Sequence, residues 1–141
     1  MLVEVAAFVL GVLVMLWMRR PSKVVTGLFA LGIGDLKMQF VVPKTKASLG
    51  AISAECCKAC VAIYQQVHGS PVCQRWESVG WRKIVLKCDD ANELVTLQRS
   101  AQRSGVPTLL RRSPNTDLQV LCLGPAPDSQ LSPVTGSLKL L

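Results

Sequence analysis

A chain of 141 residues holds one domain and an appendage rather than two full domains, and half of its residues are hydrophobic, enough to bury a core. Sixteen Lys and Arg against nine Asp and Glu leave a net charge of +7, which favours a polyanionic partner, either nucleic acid or an anionic membrane surface. One Tyr, three Phe and three Trp are too few for an aromatic base-stacking platform, and the lack of an acidic or long polar tract excludes wholesale disorder.

The first element in chain order is Val5 to Met18, apolar without a break. As a helix it would span roughly 21 Å at about 1.5 Å per residue, and Met1 to Glu4 bring it near the ~30 Å of a hydrocarbon layer. Trp17 sits at the interfacial end, and Arg19-Arg20-Pro21-Ser22-Lys23 stops the run. A cleaved signal peptide carries its positive charge before the apolar stretch; here the charge follows it. Residues 1–20 are therefore expected to be a transmembrane signal anchor, with the N-terminus outside and the following domain in the cytosol. A cleaved targeting segment is the second reading. Residues 21–36 read as a linker, since its apolar stretch, Val24 to Ile33, is too short to cross a membrane.

Residues 37–141 read as the folded domain, and carry thirteen basic and seven acidic residues. Lys37 to Val42 is a strand ended by Pro43. After a basic loop with Lys44 and Lys46, Ser48 to Val67 reads as a helix. Its apolar positions Ile52, Cys56, Ala59, Cys60, Ile63 and Val67 recur at spacings of three and four. Gly69-Ser70-Pro71 stops it, and Val72 to Val79 makes a short helix around Trp76. Lys83 to Cys88 is an aliphatic strand. Asp90, with Glu93 three residues on, caps a helix that runs to Ser104 and closes at Gly105. Pro107 to Leu110 is a third strand, Arg111 to Asp117 a loop, and Leu118 to Leu123 a fourth strand entering a Gly124-Pro125-Ala126-Pro127 turn. Thr135-Gly136 reads as a second turn. Strands alternating with helices imply a single-domain α/β sandwich with a small mixed sheet flanked by helices.

Few of the constellations that carry chemistry are present. Cys57-Lys58-Ala59-Cys60 is a C-x-x-C, but no second one completes a zinc site, and Cys73, Cys88 and Cys122 are scattered. Buried or helix-surface thiols, reduced in a cytosolic domain, are the expectation. His68 is the only histidine, and no Ser-His-Asp arrangement can be assembled securely around it. No metal and no cofactor are expected.

Four elements in order resemble the type II (archaeal and eukaryotic) peptidyl-tRNA hydrolase family over Lys37 to Leu141. They are Lys37-Met38 with Phe40-Val41-Val42; Cys56, Ala59, Val61 and Tyr64 on the first helix; Trp76, Gly80 and Lys83 to Lys87; and the closing Gly124-Pro125-Ala126-Pro127 and Val134-Thr135-Gly136-Ser137-Leu138-Lys139-Leu140. The resemblance implies the family's α/β fold and its substrate, the ester joining a peptide to the tRNA 3′ ribose. It also implies mitochondrial outer-membrane attachment, since animal members carry an N-terminal hydrophobic anchor. Cytoplasm or another intracellular membrane is the alternative location. A homodimer is a further family expectation.

Two family motifs are altered. Where the family's first helix opens Gly-Lys-x-Ala-Ala-Gln-x-x-His, this chain has Gly50-Ala51-Ile52-Ser53-Ala54-Glu55-Cys56-Cys57-Lys58. Ala51 stands where the resemblance implies a catalytic Lys, Glu55 for the Gln and Lys58 for the His. Between Gly105 and Val120 the chain is too short for the family's Asp-Ala-Gly-Lys/Arg-Thr-Gln loop. Glu55, Lys58 and Lys46 are the substitute catalytic candidates, with Asp117 a further possible base; Glu55 paired with Lys58 on the surface is the plain structural reading. Lys44, Lys46, Arg111 and Arg112 are the candidate tRNA-phosphate contacts. Two functions follow: peptidyl-tRNA hydrolysis, weakened or lost, or a catalytically inactive member serving as a membrane-tethered tRNA-binding or protein-interaction adaptor.

Overall fold

The computed structural model describes residues 35–141; the expected anchor at 1–20, and the expected linker as far as residue 34, lie outside the described residues. Among the described residues no helix is long and apolar enough to cross a membrane. The order is β1 (Leu36–Pro43), α1 (Leu49–Val67), α2 (Pro71–Ser78), β2 (Lys83–Cys88), α3 (Ala91–Arg103), β3 (Thr108–Arg112), β4 (Gln119–Pro127), α4 (Asp128–Thr135) and β5 (Lys139–Leu140). The caps explain several boundaries. Ser48 accepts a hydrogen bond from the Ala51 amide at the start of α1, and Asp90 accepts from Asn92 and Glu93 at the start of α3. Glu93 returns a carboxylate to the Asp89 amide at 2.9 Å, one residue before the cap. Gly105, at φ 70°, follows the end of α3.

The strands form one mixed five-stranded sheet in the order β3-β4-β1-β2-β5. β1 and β2 are parallel, β4 runs antiparallel to both β1 and β3, and β5 is antiparallel to β2. So β1, β2 and β3 all point the same way. Their carboxyl ends, Pro43, Cys88 and Arg112, open onto one edge, where α1 and α3 begin. Each face of the sheet carries a separate core. On one, Met38, Phe40, Val42, Val120 and Cys122 pack against Ile52, Ala59 and Ile63 of α1 and Trp76 of α2. On the other, Val41, Leu86, Leu121 and Leu123 pack against Leu94 and Leu97 of α3 and Leu131 and Val134 of α4. The α/β sandwich follows from the period-two alternation of β1 and β4, which sends apolar side chains to both faces.

Three sequence expectations need correction. Arg111 and Arg112 end β3 rather than opening a loop, because their backbones pair with Val120 and Gln119 of β4. Gly124-Pro125-Ala126-Pro127 is not a turn but the last part of β4, opposite a register shift between Lys37 and Gln39 of β1. Proline lacks the ladder donor, and the irregularity removes the need for one. Thr135 is the last residue of α4, a helix not anticipated from the sequence, rather than part of a turn. Its buried hydroxyl lies 2.7 Å from Gln39 Oε1 of β1 and 3.0 Å from the Leu131 carbonyl oxygen.

Gly124 lies at a close approach between β4 and β1. It has φ 96°, and a Cβ there would stand 2.9 Å from both the Lys37 carbonyl oxygen and the Ala126 nitrogen. Both atoms are backbone and cannot step aside cheaply. Gly124→Ala is expected to lower stability by about 1–3 kcal/mol in urea unfolding, with an unchanged m-value; an unchanged midpoint would show that the strand relaxes around the methyl group.

Candidate functional site

The carboxyl edge of the parallel strands is where ligands sit in open α/β sheets. Here it holds a cleft of about 790 Å³ whose walls include Lys44, Thr45, Leu49, Lys87, Glu93 and Lys139. The β1–α1 loop forms one wall: the Lys44 amide donates to the Cys88 carbonyl at 3.0 Å, and the Ala47 amide to Thr45 Oγ1 at 3.1 Å. The two helix ends at this edge differ. α3 opens with Asp90 and Glu93, which offset its positive end, whereas α1 has no acidic residue in its first turn. The Ser48 side chain takes only the Ala51 amide, so the leading amides of α1 keep their capacity to bind an anion. Leu49, Ile52 and Leu141 line both this cleft and an adjoining apolar groove of about 410 Å³, which continues past Phe40, Cys56 and Val85.

Glu55 lies one turn into α1 on the same face as Ala51. It is 6% exposed. Its Oε1 accepts from Lys58 Nζ at 2.7 Å, and its Oε2 accepts from Arg111 Nε at 3.2 Å. The hydrogen bond from Lys58 holds its pKa below the ordinary value of 4.5; burial opposes the shift and Arg111 adds to it. Glu55 is thus not the surface charge of the plain reading. It is a buried carboxylate held ionised by two cations, a poor proton acceptor at neutral pH. Lys58, half exposed, is its partner.

Of the candidate site residues, then, the fold gathers Glu55, Lys58 and Arg111 into one ionic network and places Lys44 in the cleft wall. Lys46 is exposed on the loop before α1. Arg112 is exposed too, and strand alternation turns it to the face opposite Arg111, so the two arginines do not form one grip. Asp117 is exposed in the β3–β4 connection, a tight hairpin closed by the Ser113 amide donating to the Leu118 carbonyl at 2.9 Å. The C-x-x-C thiols differ in exposure, Cys57 being exposed and Cys60 partly buried, and the adjoining Cys56 is buried. Burial pushes the Cys56 thiol up to about 11, so it stays protonated at neutral pH.

A family profile described as "Peptidyl-tRNA hydrolase PTH2" matches residues 36–141. The chain belongs to the type II peptidyl-tRNA hydrolase family. It is 36% identical over 118 residues to "Probable peptidyl-tRNA hydrolase 2" of Dictyostelium discoideum, a match covering 77% of this chain and 56% of that protein. It is 36% identical to "Peptidyl-tRNA hydrolase" of Methanopyrus kandleri, covering 77% of this chain and 91% of the relative. With "Peptidyl-tRNA hydrolase 2, mitochondrial" of Homo sapiens it shares 32% identity, covering 76% of this chain and 65% of that protein. The chain therefore spans little more than half of the Dictyostelium relative and nine tenths of the archaeal one.

Sequence reasoning missed Lys87 and Lys139 as cleft residues. The signal was available: Lys83, Val85 and Lys87 alternate onto one face of β2, and the closing Lys139-Leu140 is long enough to pair with it.

Glu55 also makes a pH prediction. Its ionised form is favoured in the fold, so its stabilising contribution is present above the ordinary value of 4.5 and is lost as pH falls through the lowered value. Thermal melts between about pH 6 and about pH 3 are expected to show a smaller loss of stability for Glu55→Gln than for the wild-type protein. Parallel curves would remove Glu55 from the acid sensitivity of the domain.

Proposed function

We propose that this domain takes peptidyl-tRNA at the carboxyl edge of its sheet and hydrolyses the peptide ester slowly, because the edge binds anions better than it activates water. The observation that carries the reading is the combination of a lysine-walled cleft with an α1 N-terminus that has neither a cation at Ala51 nor an available carboxylate at Glu55. The names of the relatives supply the substrate class. The leading amides of α1 offer an oxyanion some stabilisation. A Lys at position 51 would add positive charge where the helix dipole is already positive, and loss of one such group costs roughly 10²–10³ in rate. Lys46 is the candidate replacement cation on the preceding loop. The adjoining apolar groove suits apolar side chains of the attached peptide.

A second reading, a tRNA-binding adaptor without turnover, is favoured by the closed Ser113–Leu118 hairpin, which is too short for the family's Asp-Ala-Gly-Lys/Arg-Thr-Gln loop. Peptidyl-tRNA cleavage by the full chain, measured alongside tRNA affinity, separates the two. A lysine at 51 would stand four residues before Glu55 and be drawn to it. Ala51→Lys combined with Glu55→Gln is therefore expected to raise kcat/KM by at least about tenfold, and Ala51→Lys alone by less. Binding of tRNA with no cleavage by any of these variants would establish the adaptor.

The mitochondrial relatives support a mitochondrial location, and the apolar run of residues 1–20 supports attachment to the outer membrane with the domain in the cytosol. The full chain is expected to stay with membranes through alkaline carbonate extraction, and a chain lacking residues 1–20 to be released. Release of both would leave the segment a targeting signal only.

A further inference from the structure

We propose that Lys44, Lys87 and Lys139 form a phosphate grip in the cleft, which holds the sugar-phosphate backbone of the tRNA acceptor end. The proposal rests on the reading of peptidyl-tRNA as substrate and adds where the nucleic acid is held. The three lysines come from three separate elements, the β1–α1 loop, β2 and β5, and line one cleft. Lys87 and Lys139 stand directly opposite each other in the antiparallel β2–β5 pair. Like charges in that position repel and work against the pairing. β5 is only two residues long, and the Leu141 amide beyond it donates to the Val85 carbonyl at 3.1 Å. Neither lysine makes an ion pair among the described residues.

The acidic residues that line the same cleft, Asp89 and Glu93, form no salt bridge with them among the described residues. Glu93 Oε2 is committed to the Asp89 amide, and Glu93 and Asp90 both stand at the positive end of α3. Asp89 is exposed beside Cys88. On the other side, the first turn of α1 carries no acid. Opposed side chains in such a pair start about 4.5–5.5 Å apart, so two flexible ammonium groups can reach oxygens of one phosphate or of two neighbours along a strand. A phosphate there turns a repulsion in the free domain into an attraction in the complex, a conflict in the fold that a polyanion resolves.

The test is equilibrium binding of a fluorescent, uncharged tRNA to the full chain across a salt series, with thermal melts of each variant. Lys87→Gln/Lys139→Gln is expected to lower the slope of log Kd on log salt by about two and to weaken binding on the order of tenfold or more at 0.1 M salt. Lys44→Gln is expected to lower the slope by about one. Arg99→Gln/Arg103→Gln removes the same charge from exposed positions on the C-terminal half of α3, away from the cleft, and is expected to change the slope far less. Lys139→Glu sets a carboxylate against Lys87 and is expected to raise Tm while weakening tRNA binding, which separates loss of contact from loss of fold. Lysine variants that bind like the wild type, or an arginine control that loses as much as they do, would overturn the grip and leave the substrate reading standing. A wild-type chain that binds no tRNA would overturn both.

Discussion

One buried carboxylate constrains what the functional edge can do. Glu55 is almost wholly removed from water, and a charge in that position persists only if it is paired. The pairing recruits Lys58 from its own helix and Arg111 from the edge strand β3, and so ties α1 to the sheet across 56 residues of chain. Arg111 is drawn inward by this bond, and Lys58 is held along the helix. Arg111 is not the independent surface cation that the sequence suggests, while Lys58 keeps the pairing that its spacing from Glu55 allows. A neutral glutamine at 55 would hold the two cations less strongly than the carboxylate does. The substitution therefore does not act only at its own position; it reorganises the charges around the start of α1.

The same edge shows how helix polarity is spent differently in two places. α3 meets the cleft with Asp90 and Glu93, a capping arrangement that satisfies its leading amides and cancels much of its positive end. α1 meets it with Ser48 alone and no acid in the first turn. An incoming anion therefore finds favourable potential on the α1 side. There lie Lys44 in the loop and, through β2 and β5, Lys87 and Lys139. Binding and catalysis are separable on this edge, since binding needs only summed positive potential while ester hydrolysis needs a cation and a base within reach of one carbonyl.

Local chemistry made most of the fold legible. The Asp90 cap, the glycine after α3 and the aliphatic Lys83–Cys88 strand are each decided by a few neighbouring residues, and each was found where it was expected. What escaped was decided by partners far away in the chain. Gly124 and Pro125 look like a turn until β1 is laid beside them with its shifted register. Arg111 and Arg112 look like a loop until β4 pairs with them, and Glu55 looks like a surface charge until Arg111 arrives. The site was less legible than the fold for the same reason. Its cleft is walled by a loop, the end of β2 and a two-residue strand, and only the sheet brings these together.

The motifs that identify the family and the residues that would perform its chemistry answer to different physical demands. Gly124 is required because two backbone atoms stand where its Cβ would be, and Gly136 because a Cβ there would lie 2.5 Å from the Ser132 carbonyl oxygen. Thr135 is required because its hydroxyl is the partner of a buried Gln39 amide. These constraints act on any sequence that folds this way, whatever its activity. Ala51 is under no such constraint: it is exposed in the first turn of α1, where a lysine or an alanine is equally compatible with the helix. Substitution at that position leaves packing intact, so the match over residues 36–141 reports on the sheet and its cores. The chemistry rests instead on the charges that α1 and its neighbouring loops present to the cleft.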